Sequence, residues 1–417
     1  MKLMKDQILT HLNDPRQLEK LYRANKPAFK QAFKSVYPEL EDHTLADYWN
    51  ERLNYADEET FLGTRSDLIA VCVASLLAGL IAKLPAIFSI DEDFFYPRNI
   101  GFVVFPLLTV YFAWKNRLPT RKAVLIASAI LLGVAFINSL PNVGNSDTLI
   151  LSCIHLPLFL WSVLGFTFGG EKGDTGEKRL SFLRYNGDLV VMTTLILIAG
   201  GVLSAMTVGL FSLIGLDIET FYFENIGIVG LAAAPIVGTY LIQTNPQLVG
   251  KVSPVIAKIF SPLVLVMQIV YLIAIVYSGK DPYNDREFLL IFNALLVGVM
   301  AIIFFSIAET TKATKSRVEI WTLLLLSVVT IGVNGIALSA ILFRISEWGI
   351  TPNRLAVLGS NSLILINLLL VTVQILRVLL KKTDLSGVGK AIAFYLPIYC
   401  IWAIIVTFIF PLLFGFR

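Results

Sequence analysis

From about residue 67 to its end, the chain alternates long apolar runs with short polar breaks. The runs fall near 67–89, 98–114, 122–140, 148–168, 188–215, 222–243, 254–277, 287–308, 320–346, 352–380 and 390–415. Each reaches or approaches the ~20 residues that a helix needs to cross a hydrocarbon core of about 30 Å. Within lipid only helices and closed barrels satisfy every backbone N–H and C=O, and runs of this length select helices. The pattern therefore predicts an all-α, polytopic membrane helix bundle of about eleven transmembrane helices over 67–417.

Before residue 67 the pattern shortens. Asp14-Pro15 reads as a helix start, with Asp as the cap and Pro in the first turn, followed by Leu18, Leu21 and Tyr22 on one face. A second helix follows Pro27, with Phe29, Phe33 and Val36 at helical spacing, and a third spans about 45–53. With ten Lys or Arg against eleven Asp or Glu, residues 1–66 are nearly neutral. They read as a small cytoplasmic helical region able to dock a protein partner. They contain no apolar core of the signal-peptide kind, so the segment is expected to be retained.

Composition agrees with the pattern: 56% of residues are hydrophobic and 15% charged, outside the soluble range of roughly 25% charged. The net charge of +4 does not point to nucleic acid, because the basic residues occupy short breaks where they orient helices. Lys115, Arg117, Arg121 and Lys122 fill one break, and Lys172, Lys178, Arg179 and Arg184 another. Lys312, Lys315 and Arg317 fill a third, and Arg377, Lys381, Lys382 and Lys390 surround the last. The alternate breaks are acidic or neutral, as at Asp91-Glu92-Asp93, 141–147, and Asp217 with Glu219 and Glu224. With Arg52, Arg65, Lys251 and Lys258 the basic side holds nineteen Lys or Arg near the spans, against six on the other. The bias predicts a cytoplasmic N-terminus and an outside C-terminus. Cys72, Cys153 and Cys400 all fall inside apolar runs, so neither a disulfide framework nor a zinc site is expected.

Charge returns between the ninth and tenth runs, in FRISEWGITPNR at 343–354. Gly349 can end one helix, while Thr351 can cap the next with Pro352 in its first turn. Arg344, Glu347 and Arg354 are then drawn to one short turn. Two readings stand: both arginines share Glu347 in a clamp beside an anchoring Trp348, or one arginine is free to take an anion. The spacing R-x-x-E-x-G-x-T-x-N-R between two long apolar helices resembles a bacterial family of multi-pass membrane proteins known only as domain of unknown function 4153. The resemblance covers about residue 65 to the end. It implies a bacterial inner membrane and assigns no chemistry to any residue.

Other positions carry weaker signals. Gly201, Ala205 and Gly209 repeat every four residues, as do Gly230, Ala234 and Gly238, which predicts a tight hairpin of the fifth and sixth helices. Pro235 and Gly200-Gly201 loosen those same helices, as at many transporter sites. Lys83 lies within the first run, either snorkelling toward Asp91, Glu92 and Asp93 or acting as a counter-ion in the bundle. His155 precedes Pro157 and has no carboxylate at helical spacing, which favours a structural hydrogen bond over proton relay. Asn334, Asn361 and Asn367 lie on consecutive helices and can share a polar patch.

The loop GGEKGDTGEK at 169–178 lacks the spacing of a phosphate-binding loop and reads as a flexible linker. No H-E-x-x-H, G-x-S-x-G or C-x-x-C occurs, no run has a central carboxylate, and no cofactor or metal is expected. The function classes left are a transporter or flippase-like carrier of a small or lipid-linked substrate, a membrane scaffold or sensor, and an outer-face enzyme acting on lipid substrates. The partners expected are membrane lipids and a cytoplasmic protein bound through residues 1–66.

Overall fold

The computed structural model describes residues 2–40, 44–54, 64–142, 146–170, 174–213, 216–245, 252–278, 283, 286–309, 316–382 and 384–416. Among them every regular element is helical, and the chain divides into two compact units, Met1–Thr64 and Arg65–Arg417.

The first unit holds α1 (Lys2–Thr10), α2 (Pro15–Ala24), α3 (Lys26–Val36) and α4 (Thr44–Asn54). Asp14 caps α2, its carboxylate accepting from the backbone N–H groups of Arg16 and Gln17 at 3.0 and 3.1 Å. Asn25 caps α3 in the same way. The apolar faces so oriented bury Ile8, Leu18, Phe29, Phe33 and Trp49 in a core of their own.

The second unit is the membrane bundle. Its helices are α5 (Arg65–Ala82), α6 (Glu92–Lys115), α7 (Thr120–Ser139), α8 (Asp147–Phe168), α9 (Thr175–Leu213), α10 (Glu219–Thr244), α11 (Val252–Ser278), α12 (Arg286–Glu309), α13 (Arg317–Trp348), α14 (Pro352–Leu379) and α15 (Leu385–Leu413). Each of the eleven apolar runs thus falls on a helix, the first continuing past α5 into the short helix Leu84–Phe88. Nine stretches among the described residues are long and apolar enough to cross a membrane, one in each helix except α6 and α11. One core joins α11 to α15 around Phe292, Leu296, Ile303, Val333, Ala337, Leu368, Val371 and Ile392. Another joins α5, α6, α9 and α10 around Ala78, Leu108, Phe112, Tyr185, Ile236 and Tyr240. Large apolar side chains, among them Leu76, Leu132, Val202, Leu231 and Phe394, face outward, which in a bundle of this kind is the surface against lipid.

Three local expectations are corrected. α9 begins at Thr175 and runs for 39 residues, so Lys178, Arg179 and Arg184 are helical rather than part of a loop. α9 and α10 pack together at one end of the predicted seam. Close contact falls at Gly238, whose Cβ position lies 3.2 Å from Thr193 Oγ1, and at the 2.7 Å hydrogen bond between the Tyr185 and Thr239 hydroxyls. The rest of the predicted seam is open: Gly201, Gly209 and Gly230 have no atom within 4 Å of a Cβ position. Finally, α5 stops at Ala82, so Lys83 stands at a break before the short turn Leu84–Phe88 rather than within a continuous span. α10 and α15 also contain π-helical segments, Phe223–Gly227 and Ile405–Ile409. Such bulges free carbonyls that a regular helix would engage.

Candidate functional site

The turn between α13 and α14 forms as its residues require. Gly349 takes φ 76° and ψ −179°, a conformation open essentially to glycine, and the Thr351 hydroxyl accepts from Arg354 N–H at 3.3 Å. The clamp on Glu347 does not form. Arg354 donates to the carbonyls of Trp348 and Gly349 at 2.9 and 2.7 Å, and Arg344 donates through Nε to Tyr283 O at 2.8 Å. Glu347 is exposed, and among the described residues no ion pair joins it to either arginine. The reason lies in the helix end, where the last carbonyls have no partner within the helix. A guanidinium arriving from the next helix reaches those acceptors before it reaches a side chain pointing to solvent. Both guanidinium carbons also lie over the Trp348 ring, 5.7 and 5.6 Å from its centroid.

In the bundle core the structure brings polar side chains from four helices together. Asn334 of α13 donates to the Asn361 carbonyl of α14 at 3.1 Å, and Asn361 donates to Asn293 Oδ1 of α12 at 2.8 Å. One turn from Asn334, Thr330 Oγ1 lies 2.6 Å from Leu326 O and 3.2 Å from Gln268 Oε1 of α11. Gln268, Thr330, Asn334 and Asn361 are all buried, near the middle of long helices. Because the Thr330 hydroxyl gives its proton to Leu326 O, the Gln268 amide is matched to it by turning its N–H toward Oγ1, while Asn334 Oδ1 has no partner among the described residues. Asn367 does not join it but donates to the Tyr399 hydroxyl at 3.1 Å, leaving its own Oδ1 unpaired.

The other two candidates stand apart. Lys83 Nζ donates to Asn225 Oδ1 in the π-helical segment of α10 and not to the acidic turn at 91–93, so the snorkelling path is not taken. His155 Nδ1 bonds Leu151 O of its own helix at 2.9 Å, the structural role its sequence context favoured.

Two further features escaped the sequence. Arg98, one of the six Lys or Arg near the spans that lie opposite the basic breaks, is buried in α6 with Phe94 O and Asn142 Oδ1 as acceptors at 3.3 and 3.4 Å. Beside it Asn99 and Asn138 exchange amide hydrogen bonds of 2.9 Å in both directions. The second is a cleft of about 470 Å³ at the basic end of the bundle, between α8, α9 and α15 and the start of α7. Lys122, Lys178 and Arg179 stand at its polar end, and Trp161, Phe166, Phe182, Leu396 and Pro397 form its apolar walls. The signal for it, a basic cluster extending a helix rather than a loop, is visible only once α9 is known to begin at Thr175.

The helical bundle, its apolar spans and its outward apolar surface define an integral, multi-pass membrane protein in contact with lipid. Compared with known proteins, the chain matches no family model, no curated protein and no solved structure.

Proposed function

We propose that the protein is a transporter or flippase-like carrier of a small or lipid-linked polar substrate, set in a bacterial inner membrane with its N-terminus cytoplasmic. The observation that carries this reading is the ladder Gln268–Thr330–Asn334–Asn361–Asn293. Polar groups from four helices are drawn together there inside an otherwise apolar core, where a polar substrate would find hydrogen-bonding partners. Asn334 Oδ1, buried and without a partner among the described residues, can accept from a donor group of such a substrate. The bulges in α10 and α15 and the proline within α10 support the same reading, since interrupted helices border many transport paths.

The test is lipid translocation in proteoliposomes, using fluorescently tagged phosphatidylglycerol and dithionite quenching. The carrier reading expects quenching beyond the outer leaflet, slowed in Asn334→Leu. A rate equal to that of protein-free liposomes counts against a lipid substrate, and one unchanged in Asn334→Leu counts against the ladder.

A second reading, a scaffold or sensor that engages a cytoplasmic protein, draws on the first unit. Its separate core bears a surface groove lined by Pro15, Glu19, Arg23, Tyr48, Trp49 and Arg52, with Tyr48 69% exposed.

A further inference from the structure

We infer that the cleft between α8, α9 and α15 binds the phosphate headgroup and upper acyl chain of an anionic membrane lipid. The argument begins with its polarity along the bundle. The lining runs along α8 from Gly170, just past the helix end, to Trp161. At 1.5 Å per residue this spans roughly 13 Å from the basic end toward the apolar interior. At the near end stand Lys122, Lys178 and Arg179, and at the far end Trp161, Ser162 and Cys400. No carboxylate occurs among the described residues that line the cleft. A charged headgroup joined to a hydrocarbon chain has the same gradient.

The cations are positioned rather than scattered. Arg179 donates through one guanidinium nitrogen to Ala393 O of α15 at 2.9 Å, which fixes the side chain across the cleft and leaves the rest of its fork for a phosphate. Lys178 donates to Gly170 O at 3.1 Å, fixing a second cation beside the first while two of its three N–H groups stay uncommitted. Positioning of this kind lowers the entropy lost on binding. The apolar side is equally set: Trp161 donates to Asn186 Oδ1 at 2.8 Å, and Phe182 is buried behind it. Phe166, 56% exposed, stands at the lipid edge, where an acyl chain can enter sideways. Basic pockets between transmembrane helices are a recurrent means of holding lipid headgroups.

This inference concerns binding and stands apart from the carrier reading, so its test uses no flux measurement. Full-length protein is placed in nanodiscs of phosphatidylcholine alone or with added phosphatidylglycerol, and the rate of Cys400 alkylation by N-ethylmaleimide is followed by peptide mass mapping. Phosphatidylglycerol is expected to slow Cys400 modification relative to phosphatidylcholine alone. Lys178→Gln and Lys122→Gln are each expected to weaken this protection about fivefold, the loss set by one cation near a headgroup. Ser162→Trp, which fills the apolar end, is expected to abolish lipid dependence and to slow alkylation in every disc. Both lysine variants keep the apolar packing, so the test does not depend on Arg179→Gln folding. Equal protection by phosphatidylcholine alone overturns the proposal. So does equal protection by inorganic phosphate, which marks a site for a free anion, and so does undiminished protection in the Lys122→Gln, Lys178→Gln double variant.

Discussion

Arg354 shows how a single side chain is decided by the acceptors within its reach. Its guanidinium holds the Trp348 and Gly349 carbonyls, so the short turn is closed by the helix end and not by Glu347. Glu347→Gln is therefore expected to leave the melting temperature in detergent unchanged, within about 0.5 kcal/mol, as for exposed sites without partners. Arg354→Gln removes charged donors from those carbonyls and is expected to cost about 1–2 kcal/mol. Gly349→Ala is expected to cost about 1–3 kcal/mol, because φ 76° with ψ −179° is strained for any residue with a Cβ. If the Glu347 variant melts lowest of the three, the carboxylate holds the turn after all. The sequence identified the participants here and the turn chemistry at Gly349, Thr351 and Pro352. It could not show which acceptor lies nearest, because that depends on the rotation of α13 about its axis.

The same limit governs whole elements. Long apolar runs announce their helices, since no other spanning structure satisfies the backbone. Their ends and facing sides are less legible. Lys and Arg are good helix formers, so a basic stretch before an apolar run can extend the helix, as 175–187 does in α9, where Leu180, Phe182 and Tyr185 are buried between the basic residues. The α9–α10 contact falls at the Gly238 end of one stripe and leaves Gly201, Gly209 and Gly230 open. The Asn334–Asn361 contact was accessible from sequence because the two helices are consecutive. Asn293 and Gln268 arrive from α12 and α11, and no spacing rule says which face of either helix meets α13 and α14. Packing now predicts opposite outcomes for two glycines. Gly230→Leu has open space and is expected to preserve yield and thermal stability. Gly359→Leu drives its side chain into the Trp402 ring, which lies 2.0 Å from a Cβ position, and is expected to cost at least about 3 kcal/mol or prevent folding. Comparable yields of the two variants would reject the contact between α14 and α15 at this point.

At the scale of the molecule the open issue is which helices cross, and loop charge decides between the alternatives. If α6 and α11 both cross, eleven spans place Lys115, Arg117, Arg121 and Lys122 on the same side as the breaks near 172–184, 312–317 and 377–390. If neither crosses, nine spans still put the two termini on opposite sides, but every connection from α6 to α11 changes face. The cationic cluster before α7, the basic start of α9, and Lys251 with Lys258 would then all lie outside, and the outer face would carry more basic residues than the inner. The positive-inside rule disfavours that arrangement for short loops. α6 itself is long enough: its 24 residues extend about 36 Å, against a core of about 30 Å. Its buried Arg98 is sheltered by protein rather than lipid, which removes the main cost of a charge in the span. A reporter after Arg417 cannot separate nine spans from eleven, because both leave the C-terminus outside. Arg117 can, since it is exposed at the end of α6. Arg117→Cys is expected to resist a membrane-impermeant maleimide added to intact cells and to react in inverted vesicles. Labelling from the outside would leave α6 short of the far face and turn the cationic cleft to the exterior.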